Sequence, residues 1–268
     1  MTEPAPIVPA TAEPFTPRGV AAFARAPLGR LFLTQFIIAI LVGGVMVWFL
    51  HATIFPVVQT AINHLPDTGE IRSGRLQWPP GSPQLLAESR CLAFVVDPQH
   101  AGNIKTTADV QLEFGAKTVR SSGLLGYVEA DYPAAGNYPF NRTELGPRWG
   151  AWRAEVLFFA FALTVIGLLV IWSVLATFYF PPVWLLAHFT GRDLNFRQSW
   201  RLSGAALMPG ALLMAAAILL YGSGFLDLIA LGFIFGAHLV LSWIYLFISL
   251  LFVPRIPAAA PPANPFKP

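Results

Sequence analysis

The sequence predicts a membrane α-helical fold with four transmembrane helices and a small extracytoplasmic β-rich (α+β) domain inserted between helices 1 and 2. Three observations predict it. Apolar residues make up 55% of the chain and charged residues 12%, with a mean hydropathy of +0.59, whereas soluble domains carry about twice that share of charge. Four apolar runs, 31–50, 156–180, 202–221 and 228–253, reach or approach the roughly 20 residues that a helix needs to cross ~30 Å of hydrocarbon. Between the first two runs the composition changes, and apolar residues begin to alternate with polar ones.

The N-terminal segment 1–29, with its opening "MTEPAPIVPATAEPFTP", and the C-terminal segment 254–268 are rich in Pro and Ala. They have no apolar periodicity. Such segments do not bury enough surface to offset ordering entropy, so both read as disordered tails.

Residues 30–55 form the first span. Arg18, Arg25 and Arg30 precede it as a signal sequence's basic front would. Its apolar run exceeds the roughly 7–15 residues of a signal core, and "HATIFPVVQT" offers no small-residue cleavage pattern. A retained anchor helix is the expectation.

Residues 56–152 form the extracytoplasmic domain, with four to six short strands in one small sheet domain. In "ADVQLEFG" Val110, Leu112 and Phe114 fall on one face and Gln111 and Glu113 on the other, the period-2 mark of a half-buried strand. "GAK" offers a turn and "TVRSS" a returning partner. "EIRSGRLQW", turning at Ser73-Gly74, "CLAFVVD" and "GYVEADY" supply the other strands. "YPAAGNYPFNRTELGPRWGAW" has too many turn formers for regular structure and leads into span 2. Cys91 is the sole cysteine, so no internal disulfide supports the domain. Within "CLAFVV" it reads as a small buried hydrophobe.

Span 2 covers 153–180. Pro181-Pro182 is expected to end it, since neither residue donates to a helix and each restricts its predecessor. The connection 181–201 then lies at the interface. "VWLLAHF" runs along the headgroups, Gly191 breaks it, and "DLNFRQSWR" starts a helix with Asp193 as N-cap. Phe196 and Trp200 share one helix face, and Arg197 and Arg201 the adjacent one. With Arg192, these residues suit docking of anionic lipid or of a protein partner. Pro209 is expected to kink span 3, 202–222. In span 4, 227–253, Gly232 and Gly236 are one turn apart and predict close helix packing against span 3. His238 is the one ionisable group at membrane depth, a functional candidate by that position alone. Its structural alternative is a neutral imidazole bonded to a group on a neighbouring helix.

Charge sets the orientation. The two tails with Arg30 beside the first, and the connection 181–201, hold eight basic and three acidic residues, against nine basic and eleven acidic elsewhere. Positive residues in short loops stay inside. The expectation is a bacterial inner-membrane protein with both termini cytoplasmic.

No catalytic motif is present: no Gly-x-Ser-x-Gly elbow, no phosphate-binding loop, no His-Glu-x-x-His and no paired cysteines. The five histidines never fall at i, i+3 or i, i+4. Neither catalytic residues, metal, cofactor nor nucleic-acid partner is expected. The order "HFTGRDLNFRQSWRLSGAALMPGALL", the segment "LPDTGEIRSGRL" and "AFVVDP" resemble a bacterial polytopic membrane family of unknown function found in maltodextrin-utilisation loci, allied to Yip-type membrane proteins. The likeness covers most of 30–253. It implies no reaction or ligand, and eukaryotic Yip-type proteins are similar in acting as membrane scaffolds for trafficking GTPases.

The functional expectation is a non-enzymatic membrane scaffold, accessory or lipid-interacting factor. Its partners would be membrane lipid and proteins bound through the outer domain or the basic connection. One alternative is a small-solute permease, with Gln35, Thr164, Ser173, His238 and Ser242 along a path. Another is a membrane enzyme acting on lipid or envelope polymer, requiring His64, Asp67, Glu70 and Arg72 to converge.

Overall fold

A computed structural model describes residues 11–79, 83–100, 102 and 104–256 of the chain. The disorder expected for 1–10 and 257–268 lies outside the described residues. Two compact units are present. Of the described residues, one comprises those within 11–42, 164–217 and 230–256, and the other those within 43–163 and 218–229.

Four helices are long and apolar enough to cross a membrane: Leu28–Asn63, Arg142–Phe189, Phe196–Gly222 and Leu228–Leu251. The first consists of α2 (Leu28–Phe49), a π-helical turn (Leu50–Ile54) and α3 (Phe55–Asn63). Pro56 follows the π-helical turn within this continuous helix, where its missing N–H removes one backbone bond. In α4 (Arg142–Phe189) Phe158, Phe159, Leu163, Ile166 and Phe178 are each more than 60% exposed. Soluble proteins seldom leave so large a contiguous apolar surface uncovered, whereas hydrocarbon accommodates it.

Before α2, the tail read as disordered is structured from its described start. Thr16 caps α1 (Pro17–Ala22), with its hydroxyl accepting from the Gly19 amide at 3.0 Å, and Val20 and Phe23 are wholly buried. Packing of these two side chains offsets the ordering entropy that composition alone suggested would win.

Pro181-Pro182 does not end the second span. Helix α4 runs through both prolines to Phe189. Each proline removes a helix bond, at a cost of ~3 kcal/mol in an isolated helix. Beyond them Val183 and Ala187 are wholly buried and Trp184 stacks on Phe196 at 4.6 Å, and this packing carries the helix on. The turn-rich stretch before span 2 is regular as well: it contains a strand, β8 (Asn137–Pro139), and α4 begins at Arg142. Asn141 caps α4, its Oδ1 accepting from the Glu144 amide at 2.9 Å.

The third span is broken rather than bent. Helix α5 (Phe196–Ala206) stops, Leu207 intervenes, and α6 (Met208–Gly222) starts with Pro209 in its first turn. Helix α7 (Leu228–Leu251) follows a turn containing Gly224, whose φ of +88° favours glycine.

Among the described residues the β-rich region holds eight strands, more than the four to six expected, in two sheets. A three-stranded antiparallel sheet has the order β2-β1-β8, from β1 (Glu70–Arg72), β2 (Arg75–Gln77) and β8. The hairpin turns at Ser73-Gly74 as the sequence predicts, both with positive φ. The larger sheet contains β3 (Gln84–Glu88), β4 (Leu92–Val96), β5 (Val110–Phe114), β6 (Thr118–Gly123) and β7 (Gly126–Asp131), adjacent in that order. All its pairs are antiparallel except β4–β5, which is parallel with Phe94 opposite Leu112. Its core joins Val57 and Ala61 of α3, and Leu65 just after it, to Leu86, Val96 and Phe140. Cys91 is buried with a free thiol, as its apolar setting predicts.

Candidate functional site

The face rich in arginine gathers the predicted docking residues. Helix α5 begins at a capping box: the Asn195 side chain accepts from the Gln198 amide, and the Gln198 side chain accepts from the Asn195 amide, each at 2.9 Å. The cap is therefore Asn195 and not Asp193, whose carboxylate instead pairs with Arg25 at 3.0 Å.

This start fixes where each arginine goes. Arg192 Nη1 donates to the carbonyls of Leu251 and Val253, both at 2.7 Å. It satisfies the carbonyl of the last residue of α7 and one just beyond it. The backbone beside it is tied too, with Asp193 donating to Pro254 O and Ile256 to Gly191 O at 2.9 Å each. Arg201 Nη1 donates to Ala26 O at 2.8 Å, while its buried Nε has no hydrogen-bond partner. Arg197 is exposed, and among the described residues no carboxylate pairs with it.

Phe196, Arg197, Trp200 and Arg201 line a groove of about 390 Å³ with Leu28 and Phe180. Trp200 is held by its indole N–H, which donates to Thr177 Oγ1 at 3.1 Å, and by Phe32 at 6.2 Å. Phe196 packs against Trp184 and Phe180. The walls are aromatic and aliphatic, and Arg197 and Arg201 are the two cationic residues among them. A groove of this kind takes an acyl chain along its length and an anionic oxygen at its rim.

The helix-packing candidates are placed differently. A Cβ on Gly232 or Gly236 would meet nothing within 4 Å, so neither mediates a close approach. That role falls to Gly210, where a Cβ would lie 2.7 Å from His238 O and 2.8 Å from Ser242 Oγ. Sequence inspection favoured a pair of glycines one turn apart and passed over a single one beside Pro209. His238 Nδ1 contacts the carbonyl of Phe235, one turn back on its own helix rather than on a neighbour. Gln35 makes the interhelical bond instead, donating to Gly204 O at 3.1 Å with 2% of the residue exposed.

A second cluster, in the larger sheet, escaped the sequence reading. Glu113 was assigned to a solvated strand face but is only 4% exposed, because His100 covers it. His100 Nε2 lies 2.8 Å from Thr118 Oγ1, and the Thr118 hydroxyl donates to Glu129 Oε1 at 2.8 Å. The hydroxyl spends its one proton on Glu129, so its oxygen accepts from the imidazole. Arg120 lies 3.6 Å from Glu129 and 4.0 Å from Glu113. The Thr118 hydrogen bond, with Arg120 and His100 nearby, holds the Glu129 carboxyl below its ordinary range. The left-handed φ of His100, +51°, was the hidden signal, and sequence does not reveal it for a non-glycine residue.

His64, Asp67, Glu70 and Arg72 do not form one acid–base set. His64 Nδ1 contacts Leu86 O at 2.7 Å, Asp67 pairs with Arg142 at 3.0 Å, and Glu70 pairs with Arg72 at 3.8 Å. Among the described residues no group of three or more His, Cys, Asp or Glu side chains is placed to hold a metal ion. Comparison with protein-family models, curated proteins and solved structures finds no match to the chain.

Proposed function

We propose that the protein is a non-enzymatic, multi-pass membrane protein that holds anionic phospholipid at its arginine-rich face and serves there as a scaffold or accessory factor. One observation carries this reading. The groove between Leu28, Phe180, Phe196 and Trp200 is apolar along its walls, and Arg197 and Arg201 are the two cationic residues that line it. Two cations beside an apolar slot complement a phosphodiester with its acyl chain. The surplus of basic residues in the tails and the connection 181–201 assigns this face to the cytoplasm of a bacterial inner membrane.

Permeation is the weaker reading. Gln35 bonds to Gly204 O, Ser173 to Leu169 O and Ser242 to His238 O, so these side chains are engaged with backbone rather than presented to a solute path.

The test is lipid retention by the full chain purified from its membrane and exchanged into nanodiscs of mixed phosphatidylglycerol and phosphatidylcholine. Mass spectrometry of the intact complex is expected to show phosphatidylglycerol retained preferentially, with the preference lost in Arg197→Gln. Equal retention of both lipids by the wild-type chain overturns the proposal.

A further inference from the structure

The turn between β6 and β7 is unusual in its side chains. Gly123 pairs with Gly126, leaving a two-residue connection, Leu124-Leu125. Neither leucine has a positive φ, and Gly126 supplies the left-handed residue at +115°. Hairpin tips that face water are ordinarily built from Gly, Asn, Asp and Ser. Here the tip is two leucines, Leu124 61% exposed and Leu125 fully exposed at 101%. Tyr127 and Val128 beside them are 66% and 74% exposed. Local rules broken without a packing gain mark sites with another purpose.

The surroundings of the tip identify what it meets. Ser122, Gly123 and Leu124 line one cleft with Asp227, Leu228 and Ile229, the residues at which α7 begins. The same edge of the sheet is fastened to the turn between α6 and α7. Tyr221 donates its hydroxyl to Asp109 Oδ2 at 2.7 Å, and Arg90 donates to the carbonyls of Leu226, at 2.7 Å, and Tyr221. A helix long and apolar enough to span enters hydrocarbon close to its first residues, so the tip stands level with a bilayer surface. Phe225 in that turn is 80% exposed at the same edge.

Charge marks how deep the hairpin reaches. From Ser121 to Val128 the sequence "SSGLLGYV" has no charged side chain, and the first charges are the cross-strand pair Arg120 and Glu129. Three residues per strand at ~3.3 Å each give an uncharged tip about 10 Å long. Interfacial elements bury their apolar faces by roughly 5–10 Å. Tyr127 then falls where aromatic side chains collect, at the headgroup boundary.

We infer that the β6–β7 hairpin is a membrane-insertion loop, with Leu124 and Leu125 in the acyl region of the leaflet beside the sheet. The occupant of this surface is lipid. The inference rests on the reading of the four apolar helices as spans, and the experiment separates the two.

In a Cys91→Ser background, single cysteines at Leu125, Leu163 and Ala134 are labelled with an environment-sensitive fluorophore, and the full chain is reconstituted in phosphatidylcholine vesicles with or without brominated acyl chains. Leu163 lies in the apolar stretch of α4 and reports on the span, whereas Ala134 is an exposed residue beyond the far end of β7. The expected result is a blue-shifted emission at positions 125 and 163 that loses intensity with brominated lipid, and neither change at 134. Quenching at 163 but not at 125 overturns the insertion loop and leaves the spans standing. A blue shift at 125 without quenching also overturns it, because a protein surface then covers the tip. Quenching at neither 125 nor 163 removes the spans and the inference together. Label position 125 is fully exposed, so its modification does not disturb the core.

Discussion

His100, on the connection between the parallel strands β4 and β5, places its Nδ1 2.5 Å from Glu113 Oε1 on β5. The contact joins a connection without regular structure to a strand whose side chain would otherwise face water. It also holds His100 in a left-handed backbone conformation, which costs roughly 1–2 kcal/mol in a residue with a Cβ. Gly115 makes room for the ring: a Cβ there would lie 2.0 Å from His100 Nε2.

Gly115→Ala is therefore expected to expel the imidazole, lowering stability by about 1–3 kcal/mol. His100→Gln is expected to lose the network for another reason, since its amide donates from one end only and sets an oxygen against a neighbouring group. Thermal unfolding of the full chain in detergent, followed in the β region of the circular dichroism spectrum, checks both. Unchanged melting in both variants would show that the contact contributes nothing.

Glu129 predicts the acid response. Its carboxyl is held below the ordinary value, first by the Thr118 hydroxyl. A group with a depressed folded-state pKa contributes stability that is present above its unfolded value of about 4.3 and lost as pH falls through the folded value. Wild-type stability is thus expected to decline below that point. Glu129→Gln should flatten this part of the profile, and a melting series from pH 3 to 6 checks it.

Tyr132 sets the opposite limit. Burial pushes its phenol upward, and its hydroxyl donates to Gly115 O at 3.0 Å. With the folded pKa raised, its contribution is complete below the free phenol's value of about 10 and is lost as pH rises beyond it. Tyr132→Phe removes this alkaline loss, measurable as a shallower decline in melting temperature above pH 10.

Two arginines five residues apart should separate by phenotype. Arg192→Ala removes two charged hydrogen bonds to the end of α7 and is expected to cost about 1–2 kcal/mol of stability. Arg197→Ala leaves stability within about 0.5 kcal/mol, as befits an exposed site, while weakening retention of anionic lipid. Melting temperature and lipid mass spectrometry on the same preparations check the pair.

Span packing has its own tests. Gln35→Leu removes the bond to Gly204 O, worth ~0.6 and at most ~1.7 kcal/mol between membrane helices. Gly210→Val places bulk against His238 O and Ser242 and is expected to be more damaging, whereas Gly232→Val, where a Cβ meets nothing, is expected to be neutral. Unfolding in mixed micelles ranks the three.

Much of this architecture was legible because hydrocarbon and half-buried strands impose simple patterns. The four long apolar helices appeared as uninterrupted runs, and β5, β6 and the β1–β2 hairpin followed from alternation and turn residues. Elements decided by remote contacts were hidden. β3 is five residues whose pairing depends on β4, and β8 is three residues that exist by pairing with β1. The continuation of α4 through Pro181-Pro182 depends on the burial of Val183 and Ala187, which local propensity does not contain. In the groove, the grouping of Phe196, Arg197, Trp200 and Arg201 followed from helical spacing. The diversion of Arg192 to α7 did not, because its partners lie some sixty residues later in the chain.

Arg90, Asp109 and Tyr221 also bear on biogenesis. The connections that carry Arg90 and Asp109 leave the ribosome more than a hundred residues before Tyr221 and Leu226 exist to bond them. The sheet module must therefore wait, partly assembled, until the last helical hairpin has been synthesised. Truncation after the second long helix would yield a module missing its final clasp, a natural substrate for quality-control proteolysis.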